Sequence, residues 1–314
     1  MVRTLMNSFQ ARATRAMGAA VIALATVSGA SAQQSFKTPQ EAVETLVTAI
    51  RGGDDKAVSA ILGPGAERIM SSGDAVQDQN TREAFLASYD LKHSVAIGDG
   101  KPATLLTGPD DYPFAIPIDK KRDAWVFDTA AGRREILARR IGRNELAAIK
   151  VCVGYHDAQY EYAATMPKVD ELAVYAQRVA SSSGKKDGLY WPSAAGEPDS
   201  PIGEAVAEAS QRGYKVGSGG AFHGYKYKML TRQGAAAPGG TLDYIVKGQM
   251  IGGFAMIAWP AEYGNSGVTT FMISHSGDVY EKNLGPSTAQ IASRTSSFNP
   301  DDSWKKVNFT EEKN

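Results

Sequence analysis

The apolar residues of this chain change their spacing along its length, and that change limits the folds open to it. Near the start they recur at helical intervals: Ala42, Leu46, Ala49 and Ile50, then Val58, Ile61 and Leu62. Such spacing gathers each set on one face of a helix. Thr38-Pro39-Gln40-Glu41 offers a cap, a first-turn proline and the acid of a capping box. Gly52-Gly53-Asp54-Asp55 ends the first helix, Gly63-Pro64-Gly65 ends the second, and a third short helix fits Asn80–Tyr89. From Ser94 the period falls to two, which reads as strands over Ser94–Ile97, Ala103–Thr107, Phe114–Ile118 and Ala124–Asp128. Pro117 makes the third of these an edge strand.

Helical spacing then returns over Arg134–Ile141. Gly142 is expected to break that helix and Asn144 to cap a new one from Glu145 to about Tyr162, with Leu146, Ile149, Cys152, Val153 and Tyr160 on its apolar side. A further helix is expected over Val169–Ala180. The remainder is rich in glycine and tyrosine, and alternates at Tyr225–Leu230, Tyr244–Lys247, Phe254–Trp259, Val268–Ser274 and Val279–Lys282. His275-Ser-Gly-Asp278 is a tight turn, and Gly252-Gly253 suggests a bulge. Helices followed by antiparallel strands, twice over, make an α+β protein. A chain of 314 residues exceeds what one core usually serves. Two domains are therefore expected, 36–141 and 142–314, joined through residues 131–150.

The first 32 residues read as an address rather than as structure. Arg3, Arg12 and Arg15 precede a short apolar run, Met17–Val27, and Ala30-Ser31-Ala32 offers a small-residue cleavage site before Gln33. The run is too short for a comfortable membrane span, which needs about 20 apolar residues. A cleaved signal peptide, a periplasmic or secreted product and no membrane span after cleavage are expected. Lysines and arginines balance aspartates and glutamates at 34 each, which argues against a nucleic-acid binder. The single cysteine, Cys152, excludes an intramolecular disulfide and a cysteine-based zinc cage.

Several strings resemble a known family: Arg139-Arg-Ile-Gly-Arg-Asn-Glu-Leu146, Asp187-Gly-Leu-Tyr-Trp-Pro192, Ser200-Pro-Ile-Gly203, Ala237-Pro-Gly-Gly240 and Gly253-Phe-Ala-Met-Ile-Ala-Trp-Pro-Ala261. In this order they are similar to the bacterial family catalogued as domain of unknown function 2950, from Phe36 to about Trp304. The resemblance implies a secreted bacterial protein and assigns no catalytic residues. Residues 36–130, with Ala42-x-x-x-Leu46 and strands ending in Trp125-Val-Phe-Asp128, look like an NTF2-like cone. Residues 145–283, a long helix with Ala158-Gln-Tyr-Glu-Tyr162 before a small sheet, look like a pilin or pseudopilin headgroup. A pilin helix begins as an apolar span, whereas this one carries Lys150, His156, Asp157 and Glu161.

No motif for chemistry is complete. Gly264-Asn-Ser266-Gly resembles a serine-protease nucleophile loop, but His93, His156, His223 and His275 stand in unrelated contexts. Ser182-Ser-Gly-Lys185 has serine–lysine spacing yet follows a helix instead of opening one. No close histidine pair occurs, and neither metal nor organic cofactor is expected. Arg133, Arg134, Arg139, Arg140 and Arg143 form the basic cluster, partly neutralised by Glu135, and suit either a solvated face or an acidic partner. The residues singled out for binding are Tyr190, Trp191, His223, Tyr225, Glu262, Tyr263 and Asn265, each near glycine or proline in the C-terminal part. The expected function is a non-catalytic envelope protein that binds or assembles with an envelope protein or polymer. The alternative is a hydrolase of a cell-wall or polymeric substrate.

Overall fold

Helix α1 (Pro39–Arg51) starts as its sequence dictates. Thr38 Oγ1 accepts the Glu41 amide at 3.1 Å, while the Glu41 carboxylate reaches past the cap to the Lys37 amide. Asp54 caps α2 (Asp55–Leu62) and Asp74 caps α4 (Ala75–Leu91), with the single-turn α3 (Glu67–Met70) between them. The computed structural model describes residues 33–98, 101–193, 199–215 and 219–308. The expected signal segment lies outside the described residues.

Strands β1 (His93–Ala96), β2 (Thr104–Thr107) and β3 (Tyr112–Pro113) form an antiparallel sheet, and β4 (Ile118–Lys121) pairs with β5 (Ala124–Phe127). Single bridges join Ala103 to Ile118 and Phe36 to Trp125. Of the strand expected over Phe114–Ile118, only Ile118 lies in one. Proline 117 has no amide to give a ladder, and the chain bends at 115–116 before β4 begins. α1, α2 and α4 lie against this sheet around Leu46, Ile61, Leu105, Ile116 and Phe127, all nearly inaccessible to solvent.

Next comes α5 (Thr129–Thr165), 37 residues without interruption. The break expected at Gly142 does not occur. Gly142 is exposed and costs an α-helix only about 1 kcal/mol relative to alanine. Asn144 is no cap. Its side chain is buried and bonded on both sides, from Gln77 Nε2 at 3.0 Å and to the Ser266 carbonyl at 2.9 Å. The anticipated domain boundary therefore falls within a helix, and the described residues from Gln33 onward form one compact unit.

The helix expected at Val169–Ala180 is also absent. Asp170 and Glu171 take positive φ in a tight turn, and the Tyr175 and Ala176 amides are claimed by the Met250 carbonyl and by Gln159 Oε1. Tertiary partners outweigh the local helical pattern here.

Beyond α6 (Gly203–Gln211) the chain is built of hairpins. A five-stranded sheet has the order β15-β13-β12-β11-β6. Its strands are β6 (Tyr225–Leu230), β11 (Ala255–Pro260), β12 (Thr270–Ser274), β13 (Val279–Lys282) and β15 (Lys305–Lys306). Short pieces surround it: β7 (Arg232–Gln233), β8 (Leu242–Asp243), β9 (Ile245–Val246), β10 (Gln249–Met250), helix α7 (Thr288–Arg294) and β14 (Ser297–Phe298). Gly252-Gly253 precedes β11 and bulges no strand. The central strands β11 and β12 are buried along their whole length. Ala148, Ile149, Cys152, Tyr155 and Tyr162 of α5 share their core. The chain is thus α+β, with two apolar cores threaded by one helix.

Candidate functional site

Between those cores α5 crosses a layer of buried polar groups. Arg140 is only 8% exposed and Asn144 1%. Arg140 Nη1 donates to the carbonyl of Arg68 at 2.9 Å and to Asn265 Oδ1 at 2.7 Å, and its Nη2 to the carbonyl of Ile69 at 2.6 Å. These carbonyls belong to α3, whose single turn leaves them without helical partners. Asp74 accepts the Gln77 amide, the Tyr214 hydroxyl at 2.9 Å and the Gly224 amide at 3.0 Å. Gly224 is needed there, because a Cβ would run into the Asn144 amide nitrogen. Burial lowers the pKa of Arg140; Asp78 and Glu262 oppose that effect and the charge of Arg143 adds to it.

The singled-out residues divide over this frame. Asn265 is part of the layer, its Nδ2 donating to the Ser71 carbonyl and to Glu262 Oε2, both at 2.8 Å. Glu262 is exposed and packs over Gly73. His223, at φ 51°, precedes Gly224, and burial lowers its pKa. Tyr263 bonds Asn283, which follows β13. Tyr225 is wholly buried, with its hydroxyl on the Thr269 carbonyl and its ring against Phe271, so it forms core rather than loop surface. Trp191 is also core, 6% exposed and edge-on to Tyr162. Half-buried Tyr190 pairs through its backbone with residues 179–181. No hydrogen bond or ring contact among the described residues joins Tyr190 and Trp191 to the other five.

The serine motifs are tied into local structure. Ser266 is buried, and its Oγ is engaged by the backbone of Glu262 in the turn. Ser182 donates to Asp187 and accepts from Arg178. His156 and His275 meet a ring cluster around Phe254, and His275 Nδ1 is buried with no partner among the described residues.

One concavity is not announced by the sequence. α1, α2, α4, α5 and the 112–116 segment enclose a cavity of ≈ 450 Å³. Its apolar wall includes Leu46, Val58, Met70, Phe85, Phe114 and Ile136. The lining also carries charge: Arg82, Arg139, Arg140 and Arg143 with Asp55 and Asp78. Gln77 also lines it, and its Oε1 is buried without a donor among the described residues. The sequence did hold one signal. Ile136, Arg139, Arg140 and Arg143 follow helical spacing and share one face of α5. The basic cluster divides accordingly: these three arginines line the cavity, whereas Arg134 is exposed elsewhere and Arg133 approaches Gly65.

Size and lining are those of a small-molecule site, apolar walls with polar groups among them. Arg140 and Asn265 also hold α3 in place, and α3 contributes Ile69 and Met70 to the wall. Of the residues singled out for binding, Asn265 alone bonds Arg140 and the Ser71 carbonyl in this scaffolding, and none of the seven lines the cavity.

A family model described as "Protein of unknown function (DUF2950)" matches residues 33–307. No curated protein matches the chain. No solved structure matches it either, so the likenesses to an NTF2-like cone and a pilin headgroup rest on residue pattern alone.

Proposed function

This chain belongs to the DUF2950 family, and we propose that it is a non-catalytic binding protein of the bacterial envelope whose ligand sits in the cavity beneath α4. The cavity of ≈ 450 Å³ carries this reading, because a concavity of that size with apolar walls is what small-molecule sites offer. The family resemblance and the basic, apolar and small-residue order of residues 1–32 support export, with a periplasmic or secreted product after cleavage near Ala32. Among the described residues no helix is long and apolar enough to cross a membrane. A partner in the envelope, protein or polymer, would deliver or receive the ligand.

The test uses a neutral apolar fluorophore, N-phenyl-1-naphthylamine, titrated into the purified chain. Saturable enhancement in the wild type is expected. Ile136→Trp, which fills the cavity from α5, should abolish it. Ala84→Trp plugs the cavity from an exposed position of α4 and should do the same if Ile136→Trp folds poorly. Enhancement that survives in a folded Ala84→Trp variant places the probe elsewhere and removes the proposal.

A further inference from the structure

Resting on that reading of the cavity, we infer that its ligand is an amphiphilic monoanion, an apolar chain that ends in a carboxylate, with the acid held at Arg143. The lining carries four guanidinium groups against two carboxylates. Most of these charges already have partners. Arg82 lies 3.3 Å from Asp55, and Arg139 bonds Glu135 at 2.6 Å and the Tyr112 hydroxyl. Arg140 is occupied by the carbonyls of α3 and by Asn265. Asp78 spends both oxygens on the Ser72 amide. Arg143 is the exception: among the described residues no hydrogen bond or ion pair engages it.

Geometry completes the argument. Arg143 lies seven residues after Ile136 on the same face of α5, so one helix stripe runs from apolar wall to open guanidinium. Arg140, next along that stripe, is a like charge that an anion between the two would offset. A cationic head is repelled there, and an uncharged head gains nothing from it. Arginine suits a carboxylate, which it can meet with two parallel hydrogen bonds. A concavity of ≈ 450 Å³ is within the range that takes a small organic ligand, and a twelve-carbon chain is a reasonable first probe of it.

Three ligands with one chain and different heads decide the matter: dodecanoate, dodecanol and dodecyltrimethylammonium, each displacing N-phenyl-1-naphthylamine below its micelle concentration. Dodecanoate should compete about fivefold better than dodecanol, the ammonium worse than both, and added salt should narrow the gap. Arg143→Gln should erase the dodecanoate advantage and leave dodecanol unchanged. Arg143→Lys should restore part of it. Arg134→Gln, which removes a charge from α5 outside the cavity, should change nothing. Equal competition by acid and alcohol in the wild type overturns the inference. So does an advantage that persists in Arg143→Gln, or one that Arg134→Gln lowers equally. If the fluorophore itself does not bind, the cavity reading fails first, and that outcome is distinct.

Discussion

At the scale of single residues, two half-buried histidines tie the fold to pH. Burial lowers the pKa of His275, with the nearby charge of His156 adding to that and the backbone at Phe254 opposing it. Burial likewise lowers His223, where Arg212 adds and Asp74 and Glu208 oppose. Each imidazole takes up a proton less readily in the folded chain than in the unfolded one, whose histidines titrate near ~6.5. Below that pH the unfolded chain binds more protons, so stability falls as pH drops through ~6.5 and levels off beneath the folded values. Asp90, Asp187 and Asp301 act in a separate window. Their hydrogen bonds lower their pKa, and the stability they give fades only as pH falls through those depressed values. The urea midpoint is therefore expected to drop between pH 7.5 and pH 5.5, and to drop less in His275→Gln. An equal drop in that variant would show that His275 is not one of the groups responsible.

At the scale of elements, α5 is the test case. Its continuity sets opposite outcomes for two glycines on it. A Cβ at Gly142 meets nothing within 4 Å, whereas one at Gly132 would lie 2.7 Å from the Ile116 backbone. Gly142→Ala should stabilise the protein by about 0.5–1 kcal/mol. Gly132→Ala should destabilise it by about 1–3 kcal/mol through overpacking. Chemical denaturation measures both, and loss of stability in Gly142→Ala would mean that the helix is broken there after all. The same element shows where sequence reading succeeds and stops. α1, α2, β5, β6 and β11–β13 were legible because each has a clean apolar period and caps or turns at its ends. The sequence divides α5 in two because Gly142 and Asn144 have the local chemistry of a helix end. What keeps the helix going is Gln77 and the Ser266 carbonyl, far away in sequence. The cavity was illegible for a related reason. Leu46, Val58 and Phe85 look like any core residues, and only their three-dimensional arrangement leaves a space between them. Trp191 and Tyr225 were read as loop aromatics from their glycine and proline neighbours, which report the backbone and say little about where the ring goes.

At the scale of the whole molecule, the start of the described chain is fastened to its interior. Gln33 Nε2 donates to the carbonyls of Leu62 at 2.9 Å and Phe127 at 2.7 Å, and more weakly to Ile61 at 3.3 Å. Gly63, at φ 75°, makes room, since a Cβ there would sit 2.9 Å from the Gln33 side chain. Gln33 is also the residue that the proposed cleavage after Ala32 would leave at the amino terminus. Terminal sequencing of protein recovered from outside the cytoplasm is expected to begin at Gln33 or its cyclised form, and an intact Met1 on exported protein would sink the export reading. The clamp then bears on how the protein ages. A free terminal glutamine slowly closes on itself: its amine attacks the side-chain amide carbon, ammonia leaves, and a five-membered lactam remains. Closure must swing that amide back over the amine and abandon three carbonyl acceptors. The departing nitrogen is the one those acceptors hold, so the folded chain should resist a reaction that its unfolded form undergoes freely.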